Sequence, residues 1–75
     1  MKTLSRKEIL HYLENREAFA LVVNLIDQRV FVVINDSGSE VVGAVRFDTY
    51  LKLCKEKVIS KVSQKYLTEV YALAA

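Results

Sequence analysis

A chain of seventy-five residues with one cysteine and one histidine has few ways to stabilise itself. The length predicts a single small domain over residues 1–75. A domain of this size buries only about 60% of the surface that its unfolded chain exposes. Cys54 alone cannot form an internal disulfide, and His11 leaves a cysteine/histidine zinc site at least two ligands short. Small chains of this kind are often stabilised by a second subunit. The apolar fraction of 52% also favours a homodimer.

The charge is nearly balanced, because eleven basic and nine acidic residues leave a net charge of +2. That excess is too small to indicate a nucleic-acid partner by itself. Residues 1–37 are neutral, and the basic excess follows in lysines opposed locally only by Glu56: Lys52, Lys55, Lys57, Lys61 and Lys65. A solvated helix face is the ordinary interpretation, and a phosphate-binding or acidic-partner surface is the alternative. We find no signal peptide or membrane-spanning segment, which together with the free thiol predicts a cytoplasmic protein with no membrane partner.

The segment SRKEILHYLENRE is predicted as a short N-terminal helix. Ser5 and Glu8 have the spacing of a capping box, in which the serine oxygen accepts a backbone N–H and the glutamate accepts the serine's own N–H. Leu4 before the cap and an apolar stripe behind it support this helix. Lys2–Leu4 could form a brief strand.

The middle of the chain changes to strand-like composition. AFALVVNLI and RVFVVIN are rich in residues that favour sheets, with a possible tight turn at Asp27 and Gln28 between them. The alternative extends the first helix through residues 18–26 to Gln28, which Val22 and the other β-branched residues disfavour. NDSGSE, residues 35–40, is the clearest turn, and VVGAVRF makes a third strand in which Gly43 marks a bulge or a close backbone approach.

Both faces of residues 30–34 are apolar, so this strand needs cover on both sides. Short helices can cover one face of a small sheet. The other face then requires a partner subunit, which is the main reason that we expect a dimer.

Asp48 is predicted as the N-cap of a second helix. From Tyr50 onward, apolar residues recur every four positions to Val70, which predicts an amphipathic helix region over residues 48–74. The β-branched segment around Ile59 could divide it into two helices or form a short strand, but without Gly or Pro there we expect continuity or a mild bend. The predicted fold class is therefore α+β: a short N-terminal helix, an antiparallel sheet of about three strands and an amphipathic C-terminal helix region.

Few residues carry catalytic chemistry. His11 has no nucleophile nearby in sequence, and Cys54 falls on the apolar stripe, where a buried small hydrophobe is the ordinary role. The tyrosines of the C-terminal half, Tyr50, Tyr66 and Tyr71, have the spacing of core or interface aromatics. We therefore predict no enzymatic activity, no cofactor and no metal.

Two stretches together resemble the prevent-host-death (Phd/YefM) antitoxins. Those proteins begin Met-basic-Thr-apolar-Ser with a glutamate three residues on, and these places are filled here by Met1, Lys2, Thr3, Leu4, Ser5, Glu8 and Leu13. The family's middle pattern, an apolar pair, a polar turn with glycine, a strand and an apolar-acidic-x-tyrosine helix start, is matched by Val33, Ile34, Gly38, Val41, Val45, Phe47, Asp48, Tyr50 and Leu53.

The resemblance implies a dimeric DNA-binding autorepressor that neutralises a toxin through its C-terminal helix. Operator DNA would lie near Lys2, Thr3, Ser5, Arg6 and Lys7, through phosphate contacts. The toxin would dock on an apolar helix face formed by Tyr66, Leu67, Val70, Tyr71 and Leu73.

A second class of function fits the residues as well: a small, non-enzymatic, dimeric α+β adaptor or inhibitor that binds another protein and no DNA. The neutral first half favours this class. So does the Ile9-Leu10 pair, because the antitoxins usually carry Ala-Arg there and the arginine could contact DNA.

Overall fold

The computed structural model describes residues 2–34 and 40–74, which fold into two helices and five strands. In chain order the elements are α1 (Arg6–Leu13), β1 (Phe19–Asn24), β2 (Arg29–Ile34), β3 (Glu40–Val45), α2 (Phe47–Lys55), β4 (Ile59–Lys65) and β5 (Thr68–Leu73). The predicted turn at 35–40 lies, apart from its last residue, outside the described residues.

The strands form one antiparallel sheet in the order β3-β2-β1-β5-β4. The expectation of about three strands is therefore wrong, because two further strands come from the segment predicted to be helical. The helix alternative for residues 18–26 is excluded, since β1 pairs along its whole length with β2. β5 lies in the interior of the sheet and pairs with β1, so the last strand lies beside the first.

The predicted C-terminal helix ends at Lys55, and a β4–β5 hairpin takes its place. The helix stops in a Schellman arrangement: the Lys57 N–H donates to the Cys54 carbonyl and the Val58 N–H donates to the Leu53 carbonyl, both at 3.0 Å. Lys57 holds the left-handed position at φ 60°, where glycine is usual. The end of α2 therefore has no glycine signal in the sequence.

The start of α2 also differs from the prediction. Arg46, without a side-chain cap, is the N-cap, and Asp48 lies inside the first turn. There the Asp48 Oδ1 accepts the Thr49 N–H at 2.9 Å, and the carboxylate still lies at the positive end of the helix.

The predicted capping box of α1 is confirmed. The Ser5 Oγ accepts the Glu8 N–H, and the Glu8 carboxylate accepts the Ser5 N–H at 3.1 Å. The preceding residues form a single parallel bridge, Thr3 to Ala44, rather than a full strand. This bridge covers the outer edge of β3.

Gly43 fulfils both roles predicted for it. The β2–β3 register shifts next to it, as at a bulge. A Cβ added there would lie 2.8 Å from the Leu4 Cγ and 3.0 Å from the Lys2 carbonyl oxygen, so the N-terminal segment approaches too closely for any side chain.

Both helices contact strand residues on the same face of the sheet, where the core lies. Its most deeply buried side chains come from α1, α2 and alternate positions of the strands: Ile9, Leu13, Leu53, Leu21, Val23, Val30 and Val32. The fold is thus two layers, helices on one face of a sheet, with the opposite face left without a covering element among the described residues.

Candidate interaction surfaces

Two of the basic residues that the antitoxin resemblance assigns to DNA are held in ion pairs. The Lys2 Nζ donates to the Glu8 Oε2 at 2.7 Å, and the Arg6 guanidinium donates to both Glu56 oxygens at 2.6 and 3.0 Å. The hydrogen bond from Lys2 and those from Ser5 lower the pKa of Glu8 to about 2, and the bonds from Arg6 hold the pKa of Glu56 below its usual range. Both carboxylates are therefore ionised at neutral pH, as the two ion pairs require.

The other three residues of that set lie around the start of α1. Ser5 uses its side chain in the cap, and Thr3 forms the bridge to β3. Lys7 is exposed on α1 beside Glu8 and His11, around a shallow depression. The fold brings all five together but uses most of them in contacts within the chain.

The five residues that the antitoxin resemblance assigns to toxin binding lie in three places: a turn, the core and the opposite face of the sheet. Tyr66 and Leu67 form the β4–β5 turn, whereas Val70, Tyr71 and Leu73 belong to the interior strand β5. Because strand side chains alternate, Tyr71 and Leu73 point to the core and Val70 points to the opposite face. Only Tyr66 and Leu67 of the five share an exposed surface.

A chain of polar side chains runs from beneath α2 to the edge of the sheet. The hydroxyl groups of Tyr50 and Tyr71 lie 2.8 Å apart, the Tyr71 hydroxyl donates to Glu69 at 3.1 Å, and Lys61 lies 3.4 Å from the other Glu69 oxygen. A carboxylate can only accept, so Tyr71 donates to Glu69 and Tyr50 must donate to Tyr71.

Burial is the main cause that raises the pKa of both tyrosines, and the bond to Tyr71 raises that of Tyr50 further. Both phenols therefore stay protonated at neutral pH, and their donors and acceptors are satisfied by one another and by Glu69. Such a closed network supports the core rather than offering a group to a substrate.

The sheet face opposite the helices, called the open face below, carries apolar side chains from four strands. From β3 to β5 they are Val41, Ala44, Phe31, Val33, Ala20, Val22, Val70 and Ala72. On the edge strand β4, Ser60 and Ser63 continue these rows. The row nearest the β1–β2 and β4–β5 turns is polar and basic, with Arg29, Asn24, Thr68 and Lys65.

A second apolar surface lies at the tips of two neighbouring hairpins. Leu25 and Ile26 from the β1–β2 turn and Tyr66 and Leu67 from the β4–β5 turn are 38, 71, 85 and 36% exposed. The Leu25 N–H donates to the Leu67 carbonyl at 2.9 Å, which joins the two tips into one surface. We call these four residues the tip patch.

Tyr66 is placed unfavourably for stability. Its φ is 58°, at the first of two central positions of a hairpin turn, where glycine is favoured over a bulky side chain. Its ring is almost fully exposed, so packing within the chain does not offset that cost. Strained backbone occurs at ligand-binding positions, so this exposed ring is a candidate contact for a partner.

Ile26 and Leu25 were not predicted as surface residues, because the apolar run up to Ile26 reads as continuous strand. The signal that could have found them is Asn24. Its Oδ1 accepts the Ile26 N–H at 3.0 Å, which starts the turn three residues earlier than the Asp27-Gln28 pair suggests.

The two residues considered for catalysis occupy ordinary positions. His11 is exposed on α1, with its ring edge-on to Tyr12 at a centroid distance of 6.1 Å. Cys54 is half-buried on α2 and packs against the core, one turn from Tyr50.

The architecture defines a small two-layer α+β domain with an antiparallel five-stranded sheet. Comparison of the chain with protein-family models, curated proteins and solved structures found no match. Among the described residues, neither helix has the length and apolar composition needed to cross a membrane.

Proposed function

We propose that this chain is a small, non-enzymatic, homodimeric binding module, an adaptor or inhibitor that acts by occupying a surface of another protein. The tip patch carries the proposal. It places four large apolar side chains at the hairpin tips of the sheet, and one of them is a tyrosine in strained backbone. Tyrosine is enriched in protein interfaces because it combines apolar area with a polar hydroxyl group.

The antitoxin class receives less support from the geometry. Its toxin-docking helix is replaced by β4 and β5. Lys2 and Arg6 would have to leave their carboxylate partners before they could neutralise phosphates. The protein-binding class requires neither change.

The experiment uses the tagged full-length chain as bait in an extract of the native host. The bait variants are wild type, Ile26→Ser with Tyr66→Ser, and the control Leu51→Ser, which alters a half-exposed residue on α2 away from both tips. We expect a stoichiometric protein partner with wild type and with the control, and its loss with the double variant. Equal recovery with all three baits would refute the role of the tip patch.

A DNA arm separates the two classes. Phosphate contacts release counterions, so DNA binding is strongest at low salt. We expect no retention of duplex DNA, including the DNA upstream of this gene, at low ionic strength. Salt-sensitive binding that Lys7→Ala weakens would contradict the proposal and restore the antitoxin class.

A further inference from the structure

We infer that the open face is the surface through which two copies of this chain pair, sheet against sheet, with their hairpin tips at opposite ends. The inference deepens the proposed function, on whose homodimer it rests. In its middle row, Phe31, Val22 and Val70 form a continuous apolar ridge across three hydrogen-bonded strands. The core takes its strand residues from the alternate positions, and no helix or strand of the described residues covers these three side chains, which are partly exposed.

The area of the open face suits a second copy. Five strands about 4.8 Å apart and about six residues long give a footprint of roughly 20 by 20 Å. The side chains make this surface uneven, so its accessible area exceeds the footprint, and two copies bury on the order of 1,000 Å² in total. That area is more than the ~800 Å² of most crystal contacts and close to the ~1,200 Å² at which stable interfaces begin. Sheets that pack face to face lie about 10 Å apart with their strands nearly aligned, and a sheet with one apolar face can pack in this way.

The charges of the open face select the orientation. Among the described residues, the charged side chains in its rows are Arg29 and Lys65, both basic and both in the row nearest the tips. Of these two cations, Arg29 is paired, because its Nε lies 3.7 Å from the Asp27 Oδ2. Lys65 has no carboxylate within salt-bridge distance among the described residues. A two-fold axis parallel to the strands would stack the two basic rows, and like charges repel.

A two-fold axis along the middle row avoids that repulsion. It sets the basic row of one copy over the row that holds Val33 and Ser60 in the other, and it brings the two Phe31–Val22–Val70 ridges together. The dimer then carries one tip patch at each end. The module is thereby able to hold two partner molecules at once, which a dimer with both tips at one end would do only side by side.

The first test changes the ridge without changing strand propensity. Valine and threonine have nearly the same shape and both favour strands, but threonine places a hydroxyl group in the apolar contact. We expect the wild-type chain to have twice its 8.6 kDa mass in sedimentation equilibrium and Val22→Thr with Val70→Thr to have the single mass, with an unchanged circular dichroism spectrum. Ile26→Thr, a β-branched substitution at a tip, is the control that should remain dimeric.

The outcomes separate this inference from the proposed function. A wild-type monomer at all concentrations would refute both the face pairing and the homodimer. A dimer that persists in the Val22→Thr/Val70→Thr variant would refute the face alone and leave the tip patch untouched. Loss of partner binding by the tip variant, with the dimer intact, bears only on the tip patch.

The second test measures orientation. A spin label on Ile26→Cys, in a Cys54→Ala background, marks one tip of each copy, and pulsed electron paramagnetic resonance measures the distance between labels. Because each sheet is about 20 Å long, opposed tips place the labels more than about 20 Å apart. Labels within about 15 Å of one another, near the ~10 Å spacing of packed sheets, would show both tips at one end and overturn the orientation.

Discussion

Replacing Tyr71 by phenylalanine removes one hydroxyl group from the middle of the buried polar chain. The Tyr50 hydroxyl, in a residue only 6% exposed, then loses its acceptor, and Glu69 loses a donor. A stranded buried hydroxyl costs about 1–3 kcal/mol, and a hydrogen bond to a charged group contributes about 1.5–3 kcal/mol. Since Lys61 still pairs with Glu69, we expect Tyr71→Phe to lower the free energy of unfolding by about 2–4 kcal/mol.

Replacing Tyr50 by phenylalanine should cost less. Tyr71 keeps Glu69 as its acceptor, so only one neutral hydrogen bond is lost, worth about 1 kcal/mol. The double variant should be no less stable than Tyr71→Phe alone, because it leaves no tyrosine hydroxyl stranded. In a domain of this size about 1 kcal/mol shifts the melting temperature by roughly 4–8 °C, so thermal unfolding at one fixed protein concentration resolves the order.

The same pair predicts an alkaline instability. Both tyrosines have a folded-state pKa raised above 10.0, so above that pH the unfolded chain releases protons that the folded chain retains. Stability should therefore fall as the pH rises above about 10, with a limiting slope of about 1.4 kcal/mol per pH unit for a tyrosine that is ionised only in the unfolded chain. The Tyr50→Phe/Tyr71→Phe variant should lose this slope.

The losses of unfolding free energy in the two single variants test the direction of donation. Losses that add up in the double variant, or a larger loss for Tyr50→Phe than for Tyr71→Phe, would refute donation from Tyr50 to Tyr71.

Three further substitutions test the local geometry by thermal unfolding. Gly43→Ala should lower stability by about 1–3 kcal/mol, because the new methyl group would overlap Leu4 and the N-terminal segment beside it; an unchanged melting temperature would show that this segment is not held against β3. Lys57→Gly should raise stability by about 0.5–1 kcal/mol, since glycine relieves the left-handed backbone at the end of α2; a loss of stability would contradict the Schellman arrangement. Ser5→Ala should cost about 1 kcal/mol by removing the N-cap acceptor of the Glu8 N–H, and a neutral result would argue against the capping box.

The first half of the fold could be predicted because its signals are local. The Ser5–Glu8 spacing fixes the start of α1, and β-branched runs separated by a short polar segment give the β1–β2 hairpin. Gly43 is also a local signal, because a glycine within a strand usually marks a bulge or a close backbone approach.

The second half could not be predicted, for a physical reason that lies in its spacing. Apolar residues every four positions satisfy a helix of period 3.6 and also a strand of period 2, because four is a multiple of two. Val70 and Tyr66 therefore continue the stripe that begins at Tyr50 although they belong to a hairpin. The residues that end α2 and turn the hairpin, Lys57 and Tyr66, adopt the left-handed conformation without being glycine, so neither gives a turn signal.

The candidate surfaces follow the same division. An apolar second face was predicted from residues 30–34 alone, because a strand that is apolar on both sides needs two covers. The tip patch depends on β1 pairing with β5, a contact between residues more than forty positions apart. The sequence predicts Tyr66 and Leu67 on a helix face, whereas in the structure they lie in the β4–β5 turn and share an exposed surface with Leu25.

The most direct test of the pairing of two copies through the open face is an isotope-filtered nuclear Overhauser experiment on a mixture of labelled and unlabelled chains. It detects only contacts between copies. We expect cross-peaks that connect the labelled methyl groups of Val22 with the Phe31 ring protons of the unlabelled copy, and those of Val70 with the Val70 methyl groups of the unlabelled copy, since a two-fold axis along the middle row sets each strand over its own counterpart. Intermolecular contacts confined to other residues, or their complete absence at high concentration, would contradict the pairing.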